Sequence, residues 1–188
     1  MNSVGISLGA DCLSAFWGTE NGIRKRKENN YNTCPFDLMV SNYNGIVQCL
    51  IEDFKYFTDP TVLIHTPEYI INTRYNFYFN HEGPYHADLY IKQKWAEGPN
   101  HFINNNYAHF IERYNKRINN FQNYLRDSRN FITFILFPST HDINDCKQLK
   151  EVLAIQYPFL QYKILVIEGP VPHDLSKTTL VRTIYNIA

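Results

Sequence analysis

From Phe131 to Phe137 the chain reads Phe-Ile-Thr-Phe-Ile-Leu-Phe, with one hydroxyl among apolar side chains. A strand with one wet face alternates apolar and polar residues. A near-continuous apolar run is what a strand covered on both faces requires. Lys163-Ile164-Leu165-Val166-Ile167 reads the same way, and Val4 to Leu8 is a third short run of this kind. Covering layers are therefore needed, and helical periodicity supplies them. Ile46, Val47, Leu50, Ile51, Phe54 and Phe57 recur at helical spacing, in a helix expected to start at Ser41-Asn42 and to stop at Asp59-Pro60. Tyr107, Phe110, Ile111, Tyr114, Ile118, Phe121 and Leu125 mark the face of the clearest helix, and another is expected from about Asn144 to Ala154, capped by 142–145. Strands alternating with helices imply a layered α/β fold, with a mainly parallel central sheet flanked by helices.

Shorter signals fill in the rest. Val62 to Ile64, Tyr69 to Ile71 and the aromatic Tyr75 to His81 read as short strands, and Leu180 to Ile187 as a last edge strand. From Glu82 to Asn106 periodicity is weak, with Gly83-Pro84 and Gly98-Pro99 as breakers, the pattern of a functional loop or lid. No repeat or linker divides residues 1–188, so one α/β domain is expected.

Composition narrows the function classes. Among 188 residues, 44% are hydrophobic, enough for a core without staples. Acidic and basic residues number 18 each, giving no bulk pull toward nucleic acid or an anionic membrane. No apolar run has the length of a membrane span and no secretory signal is visible, so a cytoplasmic setting is expected, or a host cytoplasm for a viral chain. Cys12, Cys34, Cys49 and Cys146 lack CxxC spacing, which argues against a zinc ribbon or a disulfide framework. The last three read as structural.

Cys12 is placed differently. Gly9 can take the positive φ of a sharp turn after the first strand, Asp11 is a plausible N-cap, and Leu13, Phe16 and Trp17 then share a helical face. A cysteine in the first turn of such a helix sits among unpaired N–H groups that favour thiolate. In parallel sheets the ligand crevice lies beyond the carboxyl ends of the strands. Gly9 to Cys12 and Pro138 to His141 should open on that one edge.

Four patterns in order resemble one family of bacterial and viral proteins described as papain-like cysteine peptidases and known otherwise as a domain of unknown function. They are Ser7-Leu8-Gly9-x-x-Cys12; Pro35-Phe36-Asp37 with Ser41-Asn42; Phe79-x-His81; and Tyr114-x-x-Arg117-Ile118-x-x-Phe121 leading into the strand from Phe131. The resemblance spans roughly residues 3 to 168. Leu38 stands where the family usually has Trp. The α/β alternation differs from papain, which joins a helical lobe to a barrel-like one.

The resemblance implies a cysteine-dependent hydrolase of peptide or amide bonds: Cys12 attacks a carbonyl, His81 moves the proton and Asp37 orients the imidazole. N–H groups from Ala10 to Leu13 would form an oxyanion pocket, with Gly9 and Asp11 at the substrate. His141, after the buried strand, is an alternative base on the substrate side. Asp37 has a second reading as a turn-stabilising acceptor after Pro35. Arg117 interrupts an apolar stripe, which suits either pairing with Asp37 or another buried acid, or binding an anionic substrate group. His81, His86 and Asp88 match no metal-ligand set, so no metal or cofactor is expected. The partner expected is a peptide or other small polar molecule, with the oligomeric state open. The competing reading is a glycosyltransferase-like or nucleotide-sugar-binding domain, with the Arg24 to Lys27 run and Arg117 cradling phosphates. A third is a binding module that has lost catalysis.

Overall fold

The structure is a computed structural model describing residues 1–86, 95–137, 146–168 and 180–185. It is a mixed α/β fold with two sheets among the described residues. The larger has strand order β1-β5-β6-β7, built from Asn2–Ser7 (β1), Asn130–Leu136 (β5), Gln161–Glu168 (β6) and Leu180–Tyr185 (β7). β1, β5 and β6 are parallel, and β7 is an antiparallel edge. Leu63–His65 (β2), Ile70–Asn72 (β3) and Phe77–Phe79 (β4) form a separate antiparallel sheet. The sequence contained these three strands. It did not show that they leave the parallel sheet, because strands of three residues carry too little pattern to assign a partner.

The apolar run of β5 is buried as its composition demands. Ile132, Phe134 and Leu136 enter the main core, while Ile135 and Phe137 join Trp17, Leu165 and Ile167 in a smaller cluster on the other face. Among the described residues four helices accompany the sheets: Cys12–Glu20 (α1), Tyr43–Ile51 (α2), Asn104–Arg126 (α3) and Lys147–Gln156 (α4). α1 covers the minor face, whereas α2, α3 and α4 contribute to the main core.

Three expectations are corrected. The inward face of α1 is Ser14, Ala15, Trp17 and Gly18, and Phe16 is half exposed. The reason is close packing: a Cβ on Gly18 would come 2.2 Å from Ile135 Cδ1, so the bare glycine turns toward β5. α2 ends at Ile51 rather than at Asp59-Pro60, because Asp53 and Phe54 take left-handed conformations (φ 44° and 60°). That break leaves Ile51 exposed and still buries Phe54 and Phe57. α4 starts at Lys147, after Cys146, whose φ is 53°. Its expected cap at 142–145 lies outside the described residues.

Phe36 is fully buried at the centre of the main core. Phe54, Phe57, Phe77 and Phe121 surround it with ring centroids 5.9–6.1 Å away. Three of these contacts are edge-to-face, the geometry favoured by aromatic quadrupoles. On α3 the buried stripe is Tyr107, Phe110, Tyr114, Arg117, Ile118, Phe121 and Leu125, as the spacing predicts, with Ile111 only partly covered.

Candidate active site

The first candidate element is the turn between β1 and α1, at the carboxyl edge of the parallel sheet. Beyond the strand ends, Leu8 N–H donates to Ile135 O and Phe137 N–H to Gly9 O, both at 2.9 Å. Gly9 has φ +100°, and a Cβ there would meet Ser41 Oγ at 1.8 Å. Both conformation and space thus require glycine. Asp11 caps α1, accepting from Leu13 N–H at 2.8 Å. Below the turn the buried Ser7 and Ser14 hydroxyls hydrogen-bond to each other.

Cys12 therefore stands in the first turn of α1, partly exposed, while Cys34, Cys49 and Cys146 are buried. Partial burial and the Asp11 carboxylate push the Cys12 pKa up, and only its own backbone N–H works the other way. Burial pushes the Cys34 and Cys49 thiols much further up. Of the N–H groups expected to form an oxyanion pocket, that of Leu13 is already spent on the cap. Among the described residues, those of Ala10, Asp11 and Cys12 have no hydrogen-bond acceptor in another residue.

The four sequence patterns are joined by successive contacts. Ser41 N–H donates to Ala10 O at 2.7 Å and its hydroxyl to Leu8 O at 3.0 Å, bracing the cysteine turn. Val40 forms an antiparallel bridge with Tyr78, which leads through Phe79 to His81. Glu82 then accepts from Arg117 Nη1 at 3.4 Å, from Arg113 Nη1 at 2.9 Å and from the Tyr114 hydroxyl at 3.1 Å. Glu82 is fully buried, and Arg117 is nearly so. Arg117 thus has a buried acid as its partner, and that acid is Glu82.

Asp37 is also fully buried, on a short 3-10 turn, Pro35–Leu38. Its carboxylate accepts from Arg24 Nε at 3.2 Å, the Tyr31 hydroxyl at 3.0 Å and Cys34 N–H at 2.7 Å. Arg24 Nη2 completes a two-pronged pair at 3.1 Å. Among the described residues no hydrogen bond joins Asp37 to His81, and no imidazole hydrogen-bonds the Cys12 sulfur. Arg24, expected in a solvated loop, is instead drawn into this pair because the buried carboxylate needs a counter-charge. His141 lies outside the described residues.

His81 sits in a 3-10 turn, Asn80–Glu82, on the wall of a cleft of about 550 Å³. Burial lowers its pKa, and the cations Arg117 and Arg113 add to this against the opposing pull of Glu82. Leu38 lines the same cleft. A larger groove of about 1040 Å³ runs between Leu125 and Tyr162 at the opposite ends of β5 and β6, far along the strands from the cysteine turn.

One cluster escaped the sequence reading. Glu97, His101 and His109 bring a carboxylate oxygen and two imidazole nitrogens within 4.8 Å of one another. The imidazoles are stacked, with centroids 4.1 Å apart and planes only 16° apart. A metal ion binds in the plane of each imidazole, so two nearly parallel rings cannot share one as they stand. The i, i+4 spacing of Glu97 and His101 was a visible signal, but His109 joins them only through the fold.

Comparison with family models matches residues 3–167 to the family described as "Putative papain-like cysteine peptidase". No curated protein and no solved structure matches the chain.

Proposed function

This chain belongs to the family described as "Putative papain-like cysteine peptidase", and from that membership we propose a cysteine-dependent hydrolase of peptide or amide bonds with Cys12 as nucleophile. The observation that carries the reading is the placement of Cys12. It is a partly exposed thiol at the carboxyl edge of a parallel sheet, next to three N–H groups that have no partner in another residue among the described residues. The thiol and the His81 imidazole are both shifted toward their neutral forms, which suits a base that takes the proton during the reaction rather than a resting ion pair. The imidazole takes the thiol proton as sulfur attacks the carbonyl carbon. The N–H groups of Ala10, Asp11 and Cys12 receive the oxyanion. The imidazolium then protonates the departing amine, leaving a thioester that water hydrolyses. Asp37 acts as a positioning residue, fixing the turn that leads to Ser41 and so to the cysteine turn. His141 is the alternative base.

Iodoacetamide alkylation mapped by mass spectrometry tests this. Cys12 is expected to be modified ahead of the buried Cys34 and Cys49, and slower alkylation in His81→Ala or His141→Ala identifies the base. Alkylation of Cys12 indifferent to both substitutions, together with no amidase activity that Cys12→Ser removes, overturns the proposal. A second reading, a nucleotide-sugar-binding domain, is favoured by one observation, the concentration of cations in the cleft beside His81.

A further inference from the structure

The charge of the chain is balanced overall, with 18 acidic and 18 basic residues, but it is not evenly spread. Lys27, Arg113, Lys116 and Arg117 all line the cleft that holds His81, and among the described residues Glu112 is the only carboxylate in its lining. Arg113, Lys116, Arg117 and Asn120 fall at i, i+3, i+4 and i+7 on α3, so one helix face delivers most of this charge. Behind the wall, Glu82 offsets one positive charge between Arg113 and Arg117. Among the described residues, Lys27 and Lys116 have no carboxylate partner. The Lys27 ammonium, on an exposed residue, is disfavoured first by partial desolvation and then by Arg117, Arg113 and Arg24, so the field in the cleft is positive even with Glu82 and Asp37 beneath it.

We infer that this cleft is a binding site for a phosphate-bearing small molecule, held at its phosphate by Lys27, Arg113 and Lys116. Its volume suits a small ligand. Arg113 sits over Phe102, 4.2 Å from the ring centroid, and among the described residues gives only Nη1 to Glu82, so its other donors remain for a ligand. A single carboxylate is planar and is satisfied by one guanidinium. Cations converging from a helix face and from an opposing turn suit a multivalent tetrahedral anion. The inference concerns the cleft alone and stands whether or not Cys12 is a nucleophile.

Calorimetric titration of the full chain with inorganic pyrophosphate, and in parallel with citrate, tests it. Pyrophosphate is expected to bind more tightly than citrate, with an affinity that falls as salt rises. The Lys27→Ala, Lys116→Ala double variant should bind pyrophosphate at least roughly tenfold more weakly, because it loses two charge-assisted contacts. Both lysines are exposed, so its melting temperature should match that of the parent; charge reversal in Lys116→Glu should abolish binding. Absence of pyrophosphate binding, equal affinity in the double variant, or citrate binding as tightly would each overturn the inference.

Discussion

Arg24 closes on Asp37 through two nitrogen–oxygen contacts, Nε to Oδ1 at 3.2 Å and Nη2 to Oδ2 at 3.1 Å, with the carboxylate wholly shielded from solvent. The Tyr31 hydroxyl and Cys34 N–H fill the remaining acceptor positions, and the Arg24 guanidinium also lies 4.2 Å from the Tyr31 ring centroid. Replacing Asp37 by Ala strands a nearly buried guanidinium. The expected loss of unfolding free energy is about 3–5 kcal/mol, measured by urea denaturation. A carboxylate that only oriented an imidazole would leave stability unchanged.

Asp11 both caps α1 and raises the Cys12 pKa by its negative charge. Asn preserves the cap, because its side-chain oxygen still accepts from Leu13 N–H. Asp11→Asn therefore lowers the Cys12 pKa at little cost in stability. Its iodoacetamide alkylation rate at pH 8 should exceed that of the parent severalfold, and an unchanged or slower rate would contradict the assignment.

His81 titrates below its ordinary value of 6.5, through burial and then through nearby cations including Arg113. In the proposed reaction the neutral imidazole is the active form. The acid limb of kcat/KM should accordingly fall below pH 6.5. Removing a cation makes the imidazolium easier to form, so Arg113→Gln should move that limb to higher pH. A limb that stays in place would show that another group supplies the base.

Glu52 is held down to about 2 from an ordinary 4.5, first by Arg74, then by Gln48 and Tyr75 against some desolvation. A carboxylate depressed on folding contributes stability above its unfolded pKa and loses it as pH falls through the folded value. The loss should appear between about pH 4.5 and 2 in thermal melts. Glu52→Gln should flatten this part of the acid limb.

Gly9→Ala forces a side chain into a φ of +100° and against Ser41 Oγ. The expected cost is at least about 2 kcal/mol in denaturant unfolding. Adding Ser41→Gly should recover the steric share but not the conformational share, so the rescue should be partial.

Much of this protein is legible from residues that are close in the chain. The apolar run of β5, the positive φ at Gly9, the Asp11 and Asn42 caps and the buried stripe of α3 depend on local conformational preference and side-chain periodicity, which any short window exposes. Partnerships across the fold are a different matter. Arg24 and Asp37 are 13 positions apart and Arg117 and Glu82 are 35 apart, and no pattern in a window of that width pairs a given cation with a given acid. The odd arginine in the α3 stripe was visible, but the acid that compensates it was chosen by packing. The same holds for the separate sheet of β2, β3 and β4, and for the turn of α1 that brings Gly18 rather than Phe16 to β5. Local sequence determined which segments are strands, turns and helices, because backbone sterics and burial period act within a few residues. The convergence of cations around His81 was decided only by the tertiary structure, which folds the turn carrying Lys27 opposite one face of α3.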